Sequence, residues 1–72
     1  MQQTTLEQTI GESAGQIYNY LAESKNQQAT ITKLNKDLDL KGNFTELGLG
    51  WLAREDKIEM VKSGSSIKVK LR

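Results

Sequence analysis

The chain has no cysteine, no histidine and no proline. Without cysteine there is neither a disulfide nor a thiolate metal site. Without histidine the commonest general base and the commonest transition-metal ligand are both missing. Without proline, no segment is barred from helix or strand by a lost N–H. No apolar run approaches the roughly 20 residues that span a bilayer, and no basic-then-apolar leader is present. The expectation is a soluble, cytoplasmic protein with no membrane partner.

Seventy-two residues make one small domain, and a chain this short buries only about 60% of its unfolded surface. Catalysis would rest on Asp, Glu, Lys, Tyr or Ser alone. No pair of these stands at a suggestive spacing: Glu55 and Asp56 adjoin at a helix end, and Asp37 and Asp39 flank a turn. Gly48-Leu-Gly50 is too short for a phosphate loop. The reading is therefore not an enzyme, with no catalytic residue, no metal ligand, no cofactor and no small-molecule substrate.

The net charge of +1 hides a polarity. Residues 1–24 carry Glu7, Glu12 and Glu23 and no basic residue, a balance of −3. Residues 57–72 carry Lys57, Lys62, Lys68, Lys70 and Arg72 against Glu59, a balance of +4. Such asymmetry points to an anionic partner near the C-terminal third. Lysines on an exposed strand also serve solubility and discourage edge pairing.

Residues 1–8 are polar and read as a flexible N-terminal segment ahead of a domain spanning 9–72. Thr4-x-x-Glu7 and Thr9-x-x-Glu12 each fit a capping box, so helix 1 starts at either point. Ile10, Ala14, Ile17, Tyr18 and Leu21 then share one helical face. Gly11 and Gly15 weaken that helix but let another backbone approach. Ser24–Gln28 is an aperiodic polar loop. Ala29–Ile31 suits a very short strand, and Thr32 an N-cap for a helix over Lys33–Leu38. Asp39-Leu-Lys-Gly42 reads as a tight turn plugged by Leu40. Helix 3 follows over about 43–55, where Gly42, Gly48 and Gly50 cost about 2–3 kcal/mol of helix propensity.

The end of the chain reads as a hairpin. A two-residue Gly64-Ser65 turn of type II′ sets Lys62 opposite Ile67, Met60 opposite Val69 and Ile58 opposite Leu71. Ile58, Met60, Ile67, Val69 and Leu71 then share one face. Lys57, Glu59, Val61, Lys68, Lys70 and Arg72 share the other. A one-residue slip would scramble this segregation, so the register is well specified.

The framework of Ile31, Leu34, Leu38, Leu40, Leu49, Leu52 and Ile58 resembles that of winged helix-turn-helix proteins. Thr9-Ile-Gly-Glu12 and, more specifically, Gly48-Leu-Gly-Trp-Leu-Ala-Arg-Glu-Asp-Lys-Ile58 resemble a family of small bacterial winged helix-turn-helix domains of unknown function. The resemblance implies an α+β fold of three helices followed by a C-terminal β-hairpin wing, with a very short strand before helix 2. It also implies nucleic-acid binding of regulatory type.

In a helix-turn-helix the first turn of the second helix meets base edges. Here that turn offers Lys41 for phosphate or guanine and Asn43 for adenine. Lys33 and Lys36 on helix 2 are positioned to hold the backbone. Lys62, Ser63, Ser65, Ser66 and Lys68 form the wing tip. Double-stranded DNA is the expected partner. A second expectation starts from Phe44, Leu47 and Trp51, which form a separate stripe from Thr45, Leu49 and Leu52. Either helix 1 and the wing cover this stripe, or it is a surface for a homodimer or a protein partner.

Overall fold

The computed structural model describes residues 5–40 and 43–72. Helix α1 spans Leu6–Glu23. Its cap is Thr5, whose Oγ1 accepts from the Gln8 N–H at 3.2 Å while Gln8 Oε1 accepts from the Thr5 N–H at 3.2 Å. This reciprocal pair is a capping box with glutamine in place of glutamate. The two glutamate boxes lost to it, and the helix begins inside the segment expected to be flexible.

A short turn at Lys25–Gln27, with Asn26 and Gln27 both at positive φ, reverses the chain into strand β1, Gln28–Thr30. Helix α2 covers Ile31–Leu38. It starts two residues before the expected position, because Thr30 Oγ1, not Thr32, accepts the Lys33 N–H at 3.1 Å. The helix ends where Asp39 turns left-handed (φ 50°) and donates its N–H to the Asn35 carbonyl at 3.2 Å. Aspartate tolerates that conformation better than most residues. Helix α3 runs Phe44–Arg54. Strands β2, Ile58–Ser63, and β3, Ser66–Leu71, complete the chain.

The strands form one antiparallel sheet in the order β1-β3-β2. The hairpin register is the expected one, with Ile58 opposite Leu71, Met60 opposite Val69, Lys62 opposite Ile67 and Ser63 opposite Ser66. At its tip Gly64 has φ 62°, which suits the first position of a II′ turn. Strand β1 pairs on the other side of β3, setting Ala29 opposite Val69.

The core is Ala14, Ile17 and Leu21 of α1, Leu34 of α2, Leu49 and Leu52 of α3, and Ile58 and Val69 of the sheet. Leu40 packs against it from the turn after α2. Helices α1 and α3 approach each other closely at Gly48. A Cβ added there would stand 2.9 Å from Ile17 Cδ1, 3.1 Å from the Ala14 nitrogen and 3.3 Å from the Ser13 carbonyl carbon. The glycine that admits a neighbouring backbone is thus on α3, not on α1 as Gly11 and Gly15 suggested.

Three positions expected to face inward are exposed. Tyr18 is 40% exposed, at an open cleft that it lines together with Trp51. On the hairpin, Met60 and Ile67 are 42% and 36% exposed: the wing projects past the helices, so only Ile58 and Val69 at its root are buried.

Candidate nucleic-acid interface

The solvent face of α3 is set by its buried one. Thr45, Gly48, Leu49 and Leu52 point inward. Asn43, Glu46, Leu47, Gly50, Trp51 and Arg54 are exposed. Asn43 occupies the cap position without making a side-chain cap bond, so its amide is available. The rest of the first two turns offers Glu46, Leu47 and Gly50, which give no cation to a phosphate or to guanine. Lys41 lies outside the described residues.

On α2, Lys36 is exposed. Lys33 is engaged: its Nζ donates to Asp37 Oδ2 at 2.6 Å, and Tyr20 of α1 donates its hydroxyl to the same oxygen. The hydrogen bond from Lys33, then that from Tyr20, hold the Asp37 carboxyl below its ordinary pKa. The same Asp37 raises Tyr20 and Lys33. This triad ties α1 to α2, with the Lys33 side chain still 60% exposed.

The wing holds its residues in fixed orientations. By register Lys62 shares a face with Met60 and Ile67, whereas Lys68 shares the other with Val61 and Ser63. The two lysines therefore flank the ribbon, and Ser63, Ser65 and Ser66 are exposed at the tip between them. Lys68 also lines a cleft of ≈ 270 Å³ with Lys25, Asn26, Gln28 and Thr30. Sequence reasoning passed over Lys25 as a loop residue. Only the reversal into β1 brings it beside Lys68.

The stripe expected on α3 is divided. Phe44 is half-buried, while Leu47 and Trp51 are each 38% exposed. Trp51 stands over α1: a Cβ on Gly11 would lie 3.9 Å from Trp51 Cζ2. Beside it opens a cleft of ≈ 250 Å³ between α1 and α3, lined by Gly11, Gly15, Tyr18, Trp51 and Glu55 among others. Lys57 sits at its rim, with its Nζ 5.9 Å from the Tyr18 ring centre and 4.0 Å from Glu55.

An α2–turn–α3 pair packed on a first helix, a strand before it and a two-stranded wing after it define a winged helix-turn-helix domain. A family model described as "Winged helix-turn-helix domain (DUF2582)" matches residues 1–71, and the chain belongs to that family. It is also similar to the uncharacterized protein MJ1608 of Methanocaldococcus jannaschii. The two are 36% identical over 63 residues, which cover 88% of this chain and 90% of that protein. No helix among the described residues is long and apolar enough to cross a membrane.

Proposed function

We propose that this domain binds double-stranded DNA in a regulatory role, holding the phosphate backbone mainly with its wing. The observation that carries this reading is the wing itself. Lys62 and Lys68 stand on opposite faces of a ribbon of fixed register, around exposed serines, in strands where Lys62, Lys68 and Lys70 outnumber Glu59. Lys25 adds a cation beside Lys68, and Lys36 offers one from α2. Asn43 at the start of α3 is the candidate base reader, with Lys41 two residues before it in sequence. Lys33, paired with Asp37 on one side and 60% exposed, adds a further cation on α2. With one candidate base contact among the described residues of α3, the binding is largely electrostatic and weakly sequence-selective.

The test is an amide chemical-shift titration with random-sequence duplex DNA at about 50 and about 200 mM salt. Shifts should centre on residues 62–68 and 25–30 and fade at the higher salt. Four phosphate contacts give a slope of log affinity against log salt of about −3 to −4. The double variant Lys62→Glu and Lys68→Glu should abolish the shifts. No shift at the lower salt refutes the reading.

A second reading has its own observation. Leu47 and Trp51 are exposed beside an open cleft, and aromatic side chains are favoured anchors of protein interfaces. The α1/α3 face would then be a docking surface on a winged-helix scaffold. Sedimentation over a range of concentrations tests its self-associating form.

A further inference from the structure

Alternation along β3 puts Lys68 on the sheet face opposite to the buried Val69, between Thr30 of β1 and Val61 of β2. Glu59, the one acidic residue of the three strands, stands opposite Lys70 instead. The turn into β1 then brings Lys25 to the same place. Together they line the cleft of ≈ 270 Å³ with Asn26, Gln28, Ala29 and Thr30, and no carboxylate is among the lining residues. Both lysines are exposed, and among the described residues neither is in an ion pair. Neutral donors complete the lining. Asn26 and Gln28 carry amides, and Thr30 Oγ1 already accepts the Lys33 N–H, which leaves its own O–H to donate.

Two unpaired cations among neutral donors select an anion, and two positive charges match a doubly negative one. A phosphate monoester at neutral pH carries about −1.5 to −2, whereas each phosphate within a DNA strand carries a single negative charge. The cleft falls just under the about 300–1,000 Å³ of small-molecule sites, which suits a phosphoryl group on a small body.

We propose that the cleft between Lys25 and Lys68 binds a phosphate monoester, carried by a small free ligand or by the end of a nucleic-acid strand. The two ammonium groups supply the charge, and the Thr30 hydroxyl and the Asn26 and Gln28 amides supply further donors. This goes beyond the DNA reading, which needs only single backbone charges, and stands without it. Because both use Lys25 and Lys68, an occupied cleft weakens the hold of the wing on DNA.

Amide chemical-shift titrations at a constant ionic strength of about 150 mM test the site, with inorganic phosphate as the first probe and a nucleoside 5′-monophosphate as the second. Saturating shifts should be confined to residues 25–30 and 66–70. Lys25→Gln and Lys68→Gln should each weaken binding by about fivefold or more, the factor for losing one charge contact at about 4 Å in water. Arg54→Gln removes one exposed charge outside the cleft and should leave binding nearly unchanged. The monophosphate should bind several-fold more weakly at about pH 5 than at about pH 7.5, since its second pKa is about 6. The chain has no histidine to titrate in that window. A nucleoside monophosphate that binds more tightly than inorganic phosphate supports a free ligand as the occupant. A 5′-phosphorylated duplex that shifts residues 25–30 at lower concentration than its 5′-hydroxyl counterpart supports a strand end. If neither happens, or shifts fail to saturate, or Arg54→Gln costs as much as Lys25→Gln, or the affinity is independent of pH, the proposal is overturned. The DNA reading fails separately: duplex DNA without shifts at about 50 mM salt, beside saturable phosphate binding, removes that reading and leaves this one.

Discussion

Replacing glycine by alanine at positions 48 and 50 should change stability in opposite directions, although both lie inside α3. In an exposed helix interior the substitution stabilises by about 0.8–1 kcal/mol, because alanine restricts the unfolded backbone. Gly50 has nothing within 4 Å of an added Cβ, so Gly50→Ala should deliver that gain. At Gly48 the same methyl meets Ile17 Cδ1 at 2.9 Å and two backbone atoms of α1 at 3.1 and 3.3 Å. The Ile17 methyl could rotate in an open site, but Ile17 is fully buried. The backbone atoms move only if α1 itself shifts. Overpacking of this kind costs about 1–3 kcal/mol, so Gly48→Ala should be net destabilising by up to about 2 kcal/mol. A change of 1 kcal/mol moves the melting temperature of a domain this size by about 4–8 °C. The two variants should therefore melt at least about 4 °C apart, Gly50→Ala above the wild type and Gly48→Ala below it. Thermal and urea denaturation by circular dichroism measure both. If Gly48→Ala melts as high as Gly50→Ala, the close α1/α3 contact does not exist as described.

Thr30→Ala removes the α2 cap and should cost about 1 kcal/mol, whereas Thr32→Ala, on the exposed face, should cost almost nothing; equal losses in urea titrations contradict the assignment. Thr45 is fully buried, and among the described residues its Oγ1 has no hydrogen-bond partner. Thr45→Val keeps the shape and should leave stability unchanged or raise it by up to about 1 kcal/mol, read from the urea midpoint. The depressed pKa of Asp37 makes its contribution present above the unfolded value of about 4 and lost as pH falls through the folded one. The raised pKa values of Tyr20 and Lys33 make theirs present at neutral pH and lost above about pH 10. Asp37→Asn should flatten both limbs of a stability–pH curve, and an unchanged acid limb removes the triad from the account.

The hairpin and the framework of helices were legible in the sequence because their signals are local. Alternation over Ile58–Leu71 and a glycine-led turn admit one register, and Leu34, Leu49 and Leu52 recur at helical spacing whatever surrounds them. Helix starts were less legible. Five threonines competed as caps, Thr4, Thr5 and Thr9 for α1 and Thr30 and Thr32 for α2, and which oxygen reaches which N–H depends on how the chain enters each helix. The pattern Thr5-x-x-Gln8 was visible but is weaker than its glutamate rivals.

The candidate site divides along the same line. Residue type and spacing alone placed Lys62, Ser63, Ser65, Ser66 and Lys68 on the wing and separated Leu47 and Trp51 from Leu49 and Leu52. Only the tertiary structure decided that α1 passes so close to α3 that Gly48 must lack a side chain. It also decided that Trp51 stands over α1, that Lys25 adjoins Lys68, and that Lys33 is bound by Asp37, which also accepts from Tyr20. Each of these depends on how far one element leaves another uncovered, which is a matter of distances between segments remote in the chain. Periodicity tells which face of an element is apolar. Whether that face is buried depends on the neighbour that packs there, and on the wing no neighbour reaches past Ile58 and Val69.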